Sequence, residues 1–124
     1  MTERLAGCGT ALVTPFARDG SVDERALRAL VEWQLAEGIH FLVPCGSTGE
    51  AATMTPEEQQ RVIAIVAETA KGRVPILAGA ASNDTRRAIA LSKAAKDAGA
   101  TIVIALTYAR ALRAGRIEDR RSSV

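Results

Sequence analysis

The stretch FLVPCGSTGE, residues 41–50, continuing as AATMTPEE to residue 58, reads as strand, loop and helix start in immediate succession. Phe41-Leu42-Val43-Pro44 is a short apolar run of strand character, left through the loop Cys45 to Thr53. Thr55 can cap a helix, Pro56 suits the first helical position, and Glu58 completes a capping box. The helix predicted from there runs to about Lys71-Gly72, with Val62, Ile63, Val66 and Ala70 as its buried stripe and Gly72 as its stop.

The same unit recurs on both sides. Upstream, Thr10-Ala11-Leu12-Val13 is a strand stopped by Thr14-Pro15. Asp19-Gly20 marks a turn, and Ser21 with Glu24 predicts a capped helix carrying Leu27, Leu30, Val31 and Leu35 up to Gly38. Downstream, Pro75-Ile76-Leu77-Ala78 is a third strand. Asn83 or Asp84 caps a third helix with Ala88, Ile89, Leu91 and Ala95 inward, ended by Gly99, and Ile102 to Leu106 form a fourth strand. Apolar strands alternating with amphipathic helices require parallel pairing and helical crossovers. An open doubly wound sheet and part of a (β/α)8 barrel both satisfy this pattern. In either, function is expected at the carboxyl ends of the strands: residues 14–21, 45–55, 79–84 and whatever follows Leu106.

Composition narrows the function classes. The chain has 124 residues, 48% hydrophobic and 24% charged, which excludes disorder and predicts a buried core. Sixteen basic against fourteen acidic residues, with 3% aromatics, give neither the charge nor the stacking surface of a nucleic-acid binder. No apolar stretch approaches the roughly 18 residues of a membrane span, and Met1 to Arg4 lacks a signal-peptide start, so a soluble, cytoplasmic protein is expected. Cys8, Cys45 and the lone His40 do not have metal-ligand spacing. Five arginines fall between Ala109 and Val124 against Glu118 and Asp119, a net of +3, leaving −1 for residues 1–108. A solvated end is the expected meaning of this cluster, with a nucleic-acid arm as its rival.

The segment with chemical potential is Gly46-Ser47-Thr48-Gly49-Glu50. Two hydroxyls flanked by glycines allow close backbone approach, so N–H and O–H groups could converge on a carboxylate or phosphate. The spacing is neither a dinucleotide fingerprint nor a P-loop, and a simple turn is the other interpretation. Glu50 likewise has a structural interpretation, bonding loop amides, beside a catalytic one; the structural one is expected.

Residues 9–16 (GTALVTPF), 46–50 (GSTGE) with Thr53 and Thr55 behind, 73–79 (RVPILAG) and 98–100 (AGA) together resemble the dihydrodipicolinate synthase and N-acetylneuraminate lyase family. The resemblance runs from about residue 7 to 107. It implies the N-terminal half of a (β/α)8 TIM barrel, and an intact enzyme that condenses pyruvate with an aldehyde through a Schiff base to a lysine. It also implies a homotetramer and no metal or cofactor. Carried over residue by residue, Thr48 corresponds to the hydroxyl that binds the pyruvate carboxylate, and Ser47 to a hydroxyl that relays protons between two tyrosines. Gly46, Gly49 and Glu50 would shape the loop.

The family pattern breaks after the fourth strand. Tyr108 stands near the relay tyrosine, but the proline and second tyrosine of that motif are missing. The lysines present, Lys71, Lys93 and Lys96, fall on or beside helices, where a solvated charge is expected. A barrel of about 250 residues is thus represented by a partial TIM barrel, residues 1–107, with an arginine-rich tail, residues 108–124. The change at residue 108 suggests a frameshift or premature end, with a natural half-barrel as the alternative, and four strands alone predict unpaired edges and poor solubility or a loosely packed open sheet. At the starts of the second and third helices, Pro56, Gln59, Asn83 and Arg87 stand where lysine-inhibited synthases line a lysine-binding cleft; only Asn83 keeps the family type, so the resemblance implies weak feedback inhibition. A 4-hydroxy-tetrahydrodipicolinate synthase-like lyase is the expected function. Neuraminate lyase and other 2-oxo-acid aldolases remain open, because Ser at position 47 also occurs there. A non-catalytic anion-binding α/β module is the alternative of another class.

Overall fold

The computed structural model describes residues 5–105, so Tyr108 and the arginine-rich tail lie outside the described residues. The order is β1 (Gly9–Ala11), α1 (Glu24–Ala36), β2 (Phe41–Val43), a 3-10 turn (Ala51–Thr53), α2 (Pro56–Ala70), β3 (Leu77–Gly79), α3 (Thr85–Asp97) and β4 (Ile102–Ile104). β1 pairs parallel with β2, Gly9 opposite Phe41 and Ala11 opposite Val43. β3 pairs parallel with β4, Leu77 opposite Ile102 and Gly79 opposite Ile104. A parallel bridge between Leu42 and Ile76 joins the two pairs, and Gly79 N donates to Pro44 O at 2.9 Å.

The strands therefore stand in chain order. α1 packs on α2, and α2 on α3, so the three helices share one face of the sheet. A doubly wound sheet reverses its strand order and divides its helices between two faces. Sequential order with one-sided helices is the wall of a (β/α) barrel, which decides between the two architectures left open by hydrophobic pattern.

The core lies between sheet and helices. Leu12, Leu42, Ile76 and Ala78 from the strands meet Leu27 and Val31 of α1, Val62, Ile63, Ile65 and Val66 of α2, and Ala95 of α3. Side chains alternate across a strand, so the neighbours of these residues face the barrel interior. There Val13 is 52% exposed, and Gly9, Phe41, Val43, Leu77 and Gly79 are only partly covered. On the outer surface, Arg61 bonds Glu24 at 2.6 Å, Arg28 bonds Glu68 at 2.7 Å and Arg73 of the loop before β3 bonds Glu32 at 2.8 Å.

The helix starts show how local chemistry is allotted. The capping box of α2 forms in full: Glu58 N donates to Thr55 Oγ1 at 3.2 Å, and Thr55 N to Glu58 Oε2 at 2.7 Å. Its stop comes one residue before the expected Gly72, because Lys71 itself adopts the left-handed conformation at φ 52°. At α3 the cap is Asp84, which accepts from Arg86 N at 3.0 Å. At α1 the expected Ser21 cap is replaced by Asp23, whose Oδ1 accepts from Ala26 N at 2.9 Å. Ser21 is already committed to the preceding turn, donating its hydroxyl and its amide to Asp19 Oδ1 at 2.7 and 3.0 Å. Those bonds, the hydroxyl first, hold the Asp19 carboxyl below its ordinary value of 3.8.

Ile89 is not inward as expected but 52% exposed. It precedes Leu91 by two residues, about 200° around the helix, and so cannot share the face that buries Leu91 and Ala95.

Candidate functional site

The loop leaving β2 is built by contacts from three strand ends. Cys45 is buried and takes the left-handed conformation at φ 57°, which turns the chain sharply after Pro44. Gly79, at the end of β3, lies directly beneath: a Cβ there would collide with the Cys45 carbonyl and come within 3.1 Å of Gly46 N. From the other side the end of β1 reaches in. Thr14 Oγ1, buried, donates to Gly49 O at 2.7 Å, and a Cβ on Gly49 would sit 2.9 Å from Leu12 O. Of the two loop glycines, Gly49 is thus required by crowding, whereas the space around Gly46 is open and its φ is not positive.

Within the loop, Gly49 N donates to Gly46 O and Glu50 N to Ser47 O, both at 3.1 Å, closing a turn whose exposed apex is Ser47-Thr48. The Ser47 and Thr48 amides have no hydrogen-bond partner among the described residues. Glu50 follows in the left-handed conformation at φ 56°. Its carbonyl accepts from Thr53 N and Thr53 Oγ1, each at 2.9 Å. Its carboxylate makes no capping bond to the 3-10 turn, so Glu50 shapes the loop through its backbone and not through the expected side-chain bond to amides.

α2 supplies the remaining tie. Gln59, 6% exposed, donates its side-chain amide to Ala51 O at 2.7 Å and to Met54 O at 3.4 Å, and its backbone carbonyl accepts from Cys45 Sγ at 3.5 Å. Burial pushes the Cys45 thiol up to about 12, so it stays a neutral donor. A cavity of about 180 Å³ lies between the start of α2 and the side of α3, lined by Pro56, Glu57 and Gln60 of the first and by Arg87, Leu91 and Ala94 of the second. Arg87 lines that cleft, but Gln59 is spent on the loop.

Ser47, Thr48, Gly46, Gly49 and Glu50 are thus brought into one turn at the carboxyl ends of β1, β2 and β3. Free amides and hydroxyls gathered on a turn, without a cationic side chain, are suited to a small carboxylate. The loop-holding roles of Thr14, Cys45, Gln59 and Gly79 escaped sequence reasoning, which placed three of them only within functional loops and Gln59 only at the lysine cleft. Thr14 and Gly79 belong to conspicuous motifs, but their partners lie tens of residues away. No group of three metal-ligating side chains occurs among the described residues, and no described helix is long and apolar enough to cross a membrane.

The sequence pattern of the dihydrodipicolinate synthetase family matches residues 4–113. The 4-hydroxy-tetrahydrodipicolinate synthase of Maridesulfovibrio salexigens is 59% identical over 101 residues, 82% of this chain and 34% of that protein. That of Koribacter versatilis is 60% identical over 90 residues, 73% of this chain and 30% of that protein. Among solved structures, the chloride-inhibited dihydrodipicolinate synthase of Acinetobacter baumannii complexed with pyruvate superposes with a TM-score of 0.81 at 44% identity, over 84% of this chain and 36% of that one. The Aquifex aeolicus enzyme does so with a TM-score of 0.78 at 38% identity, over 82% and 35%. The chain thus spans about a third of the length of these relatives, and its four βα-type strands correspond to the N-terminal half of a (β/α)8 barrel. By sequence pattern, identity and fold alike, this chain belongs to the dihydrodipicolinate synthetase family.

Proposed function

We propose that the chain supplies the carboxylate-binding N-terminal part of a pyruvate-dependent Schiff-base lyase, 4-hydroxy-tetrahydrodipicolinate synthase, acting on pyruvate and aspartate semialdehyde in lysine biosynthesis. The observation that carries this is the Ser47-Thr48 apex, where two hydroxyls and two unengaged amides stand on a turn held from three strand ends. The names of the relatives and the pyruvate complex of the Acinetobacter enzyme support the same assignment. Thr48, with the neighbouring amides, binds the pyruvate carboxylate. Ser47 relays a proton, with Tyr108 as the candidate partner.

Schiff-base formation joins a lysine nitrogen to C2 of pyruvate and releases the carbonyl oxygen as water. Lys93 and Lys96 are exposed on α3, and Lys71 ends α2 at the opposite end of the strands from the Ser47-Thr48 turn. The amine is therefore assigned to a segment beyond these 124 residues, and the chain by itself binds pyruvate without turning it over. That placement of the lysines also favours the second possibility, a non-catalytic anion-binding module. Cytoplasmic action, and for the intact enzyme a homotetramer, complete the proposal on family grounds.

Titration of the isotope-labelled chain with pyruvate tests it. Saturable shifts of the Ser47 and Thr48 amide resonances are expected. Thr48→Val, which loses a hydrogen bond to a charged group, should weaken binding about 10-fold or more. Borohydride treatment with pyruvate should leave the mass unchanged. Absence of any saturable shift refutes pyruvate binding; a reduced covalent adduct refutes the assignment of the lysine.

A further inference from the structure

We propose that Gln59 is a positioning residue for the Ser47-Thr48 turn, holding it in the carboxylate-receiving conformation from the first turns of α2. The proposal rests on the pyruvate-binding assignment of that turn. Three bonds converge on this one residue. Its two side-chain N–H groups go to Ala51 O and Met54 O, the first residue of the 3-10 turn and the one after its last. Its backbone carbonyl takes the Cys45 thiol proton at the other end of the loop. Gln59 therefore grips both ends of the segment 45–54 without touching its apex.

The need for such a grip follows from the loop itself. Cys45 and Glu50 are non-glycine residues in the left-handed region, each of which costs energy unless its surroundings impose it. Glu50 O takes Thr53 N and Thr53 Oγ1 at 2.9 Å, so the far side of the loop closes on itself, but Ala51 N reaches Gly46 O only at 3.5 Å and ties that side weakly to the Ser47-Thr48 turn. The Thr14 and Gly79 contacts fix the approach and the Gly49 corner, and the side beyond Glu50 is hydrogen-bonded to α2 through Gln59. A side chain 6% exposed, already spending both amide protons on loop carbonyls, is placed to hold and not to bind a ligand.

Amide hydrogen exchange on the full chain tests this without any ligand. In Gln59→Met, which keeps length and loses the donors, exchange at Gly49, Glu50 and Ala51 should rise about 10-fold or more while Ile65 and Val66 of α2 keep their rates. Gln59→Asn, polar but one methylene short, should do the same and decides the matter if the methionine variant fails to fold. Both variants should weaken pyruvate several-fold, and saturating pyruvate should restore slow exchange in the loop. Unchanged loop exchange in a folded variant overturns the proposal, as does equal acceleration in α2. If the parent chain takes no pyruvate, the functional assignment fails while exchange still decides whether Gln59 holds the turn. Thr48→Val should show the converse, lost pyruvate with loop exchange unaltered.

Discussion

The buried Thr14 hydroxyl donates to the Gly49 carbonyl at 2.7 Å, tying the end of the first strand to the loop that follows the second. The two residues are 35 positions apart, and their contact brings the Ser47-Thr48 turn over the strand ends. The same oxygen would lie 3.3 Å from a Cβ on Gly49, so the contact that uses the Gly49 carbonyl also crowds any side chain at that corner.

Thr14→Val should therefore leave the Gly49 carbonyl buried without its donor and cost about 1–3 kcal/mol, while Thr14→Ser should stay close to the parent. Urea unfolding monitored by helical circular dichroism measures the difference.

Three glycine-to-alanine changes should separate cleanly. Gly79→Ala and Gly49→Ala force the new methyl group against the Cys45 and Leu12 carbonyls and should each cost about 1–3 kcal/mol. Gly46→Ala has open space and should stay within about 0.5 kcal/mol. Equal losses at all three positions in denaturant titrations would contradict the packing described here.

The two cysteines should react at very different rates. Cys8 is exposed, and Cys45 is buried with its thiol pushed up to about 12, leaving on the order of one molecule in ten thousand as thiolate at about pH 8. A disulfide reagent should titrate one thiol per folded chain and two in denaturant.

Acid should loosen the contacts of α1 with α2 and with the loop before β3. Hydrogen bonds from Arg61 and Arg73 hold the Glu24 and Glu32 carboxyls below their ordinary value of 4.5. Both values are depressed in the folded chain, so this stabilisation is present above pH 4.5 and is lost as pH falls through the lowered values. The melting temperature should decline below about pH 4.5, and the combined change Glu24→Gln and Glu32→Gln should flatten part of that decline. An identical acid slope in the double variant would show that other carboxylates govern it.

On α3, Leu91→Ala should cost about 2–3 kcal/mol, since that side chain is 8% exposed, whereas Ile89→Gln should change stability by less than about 0.5 kcal/mol. Thermal melts of the two variants distinguish the buried face of the helix from the exposed one.

Much of this protein was legible in the chain itself. The α2 start at Thr55-Pro56-Glu57-Glu58 forms as its residues dictate, because a capping box closes within four residues. The four strands and three helices also follow from local apolar patterning, and the family follows from motifs that stand in unbroken order. The hydroxyl-rich turn was visible for the same reason, as Gly46 to Glu50 are contiguous.

Tertiary structure decided whatever depends on a partner remote in sequence. Alternating strands and helices allow two sheet orders, and the Leu42–Ile76 bridge selects one. Ser21 and Asp23 are both good caps, and the competing bonds to Asp19 assign the role to Asp23. Gly46 and Gly79 are alike as letters, yet only Gly79 has a carbonyl pressed against it. Gln59 is one polar residue among several in its helix until the fold sets Ala51 O and Met54 O within reach of its amide. Short-range hydrogen bonds and periodic burial are written along the chain, whereas which backbone groups meet across the strand ends is settled only when the sheet brings them together.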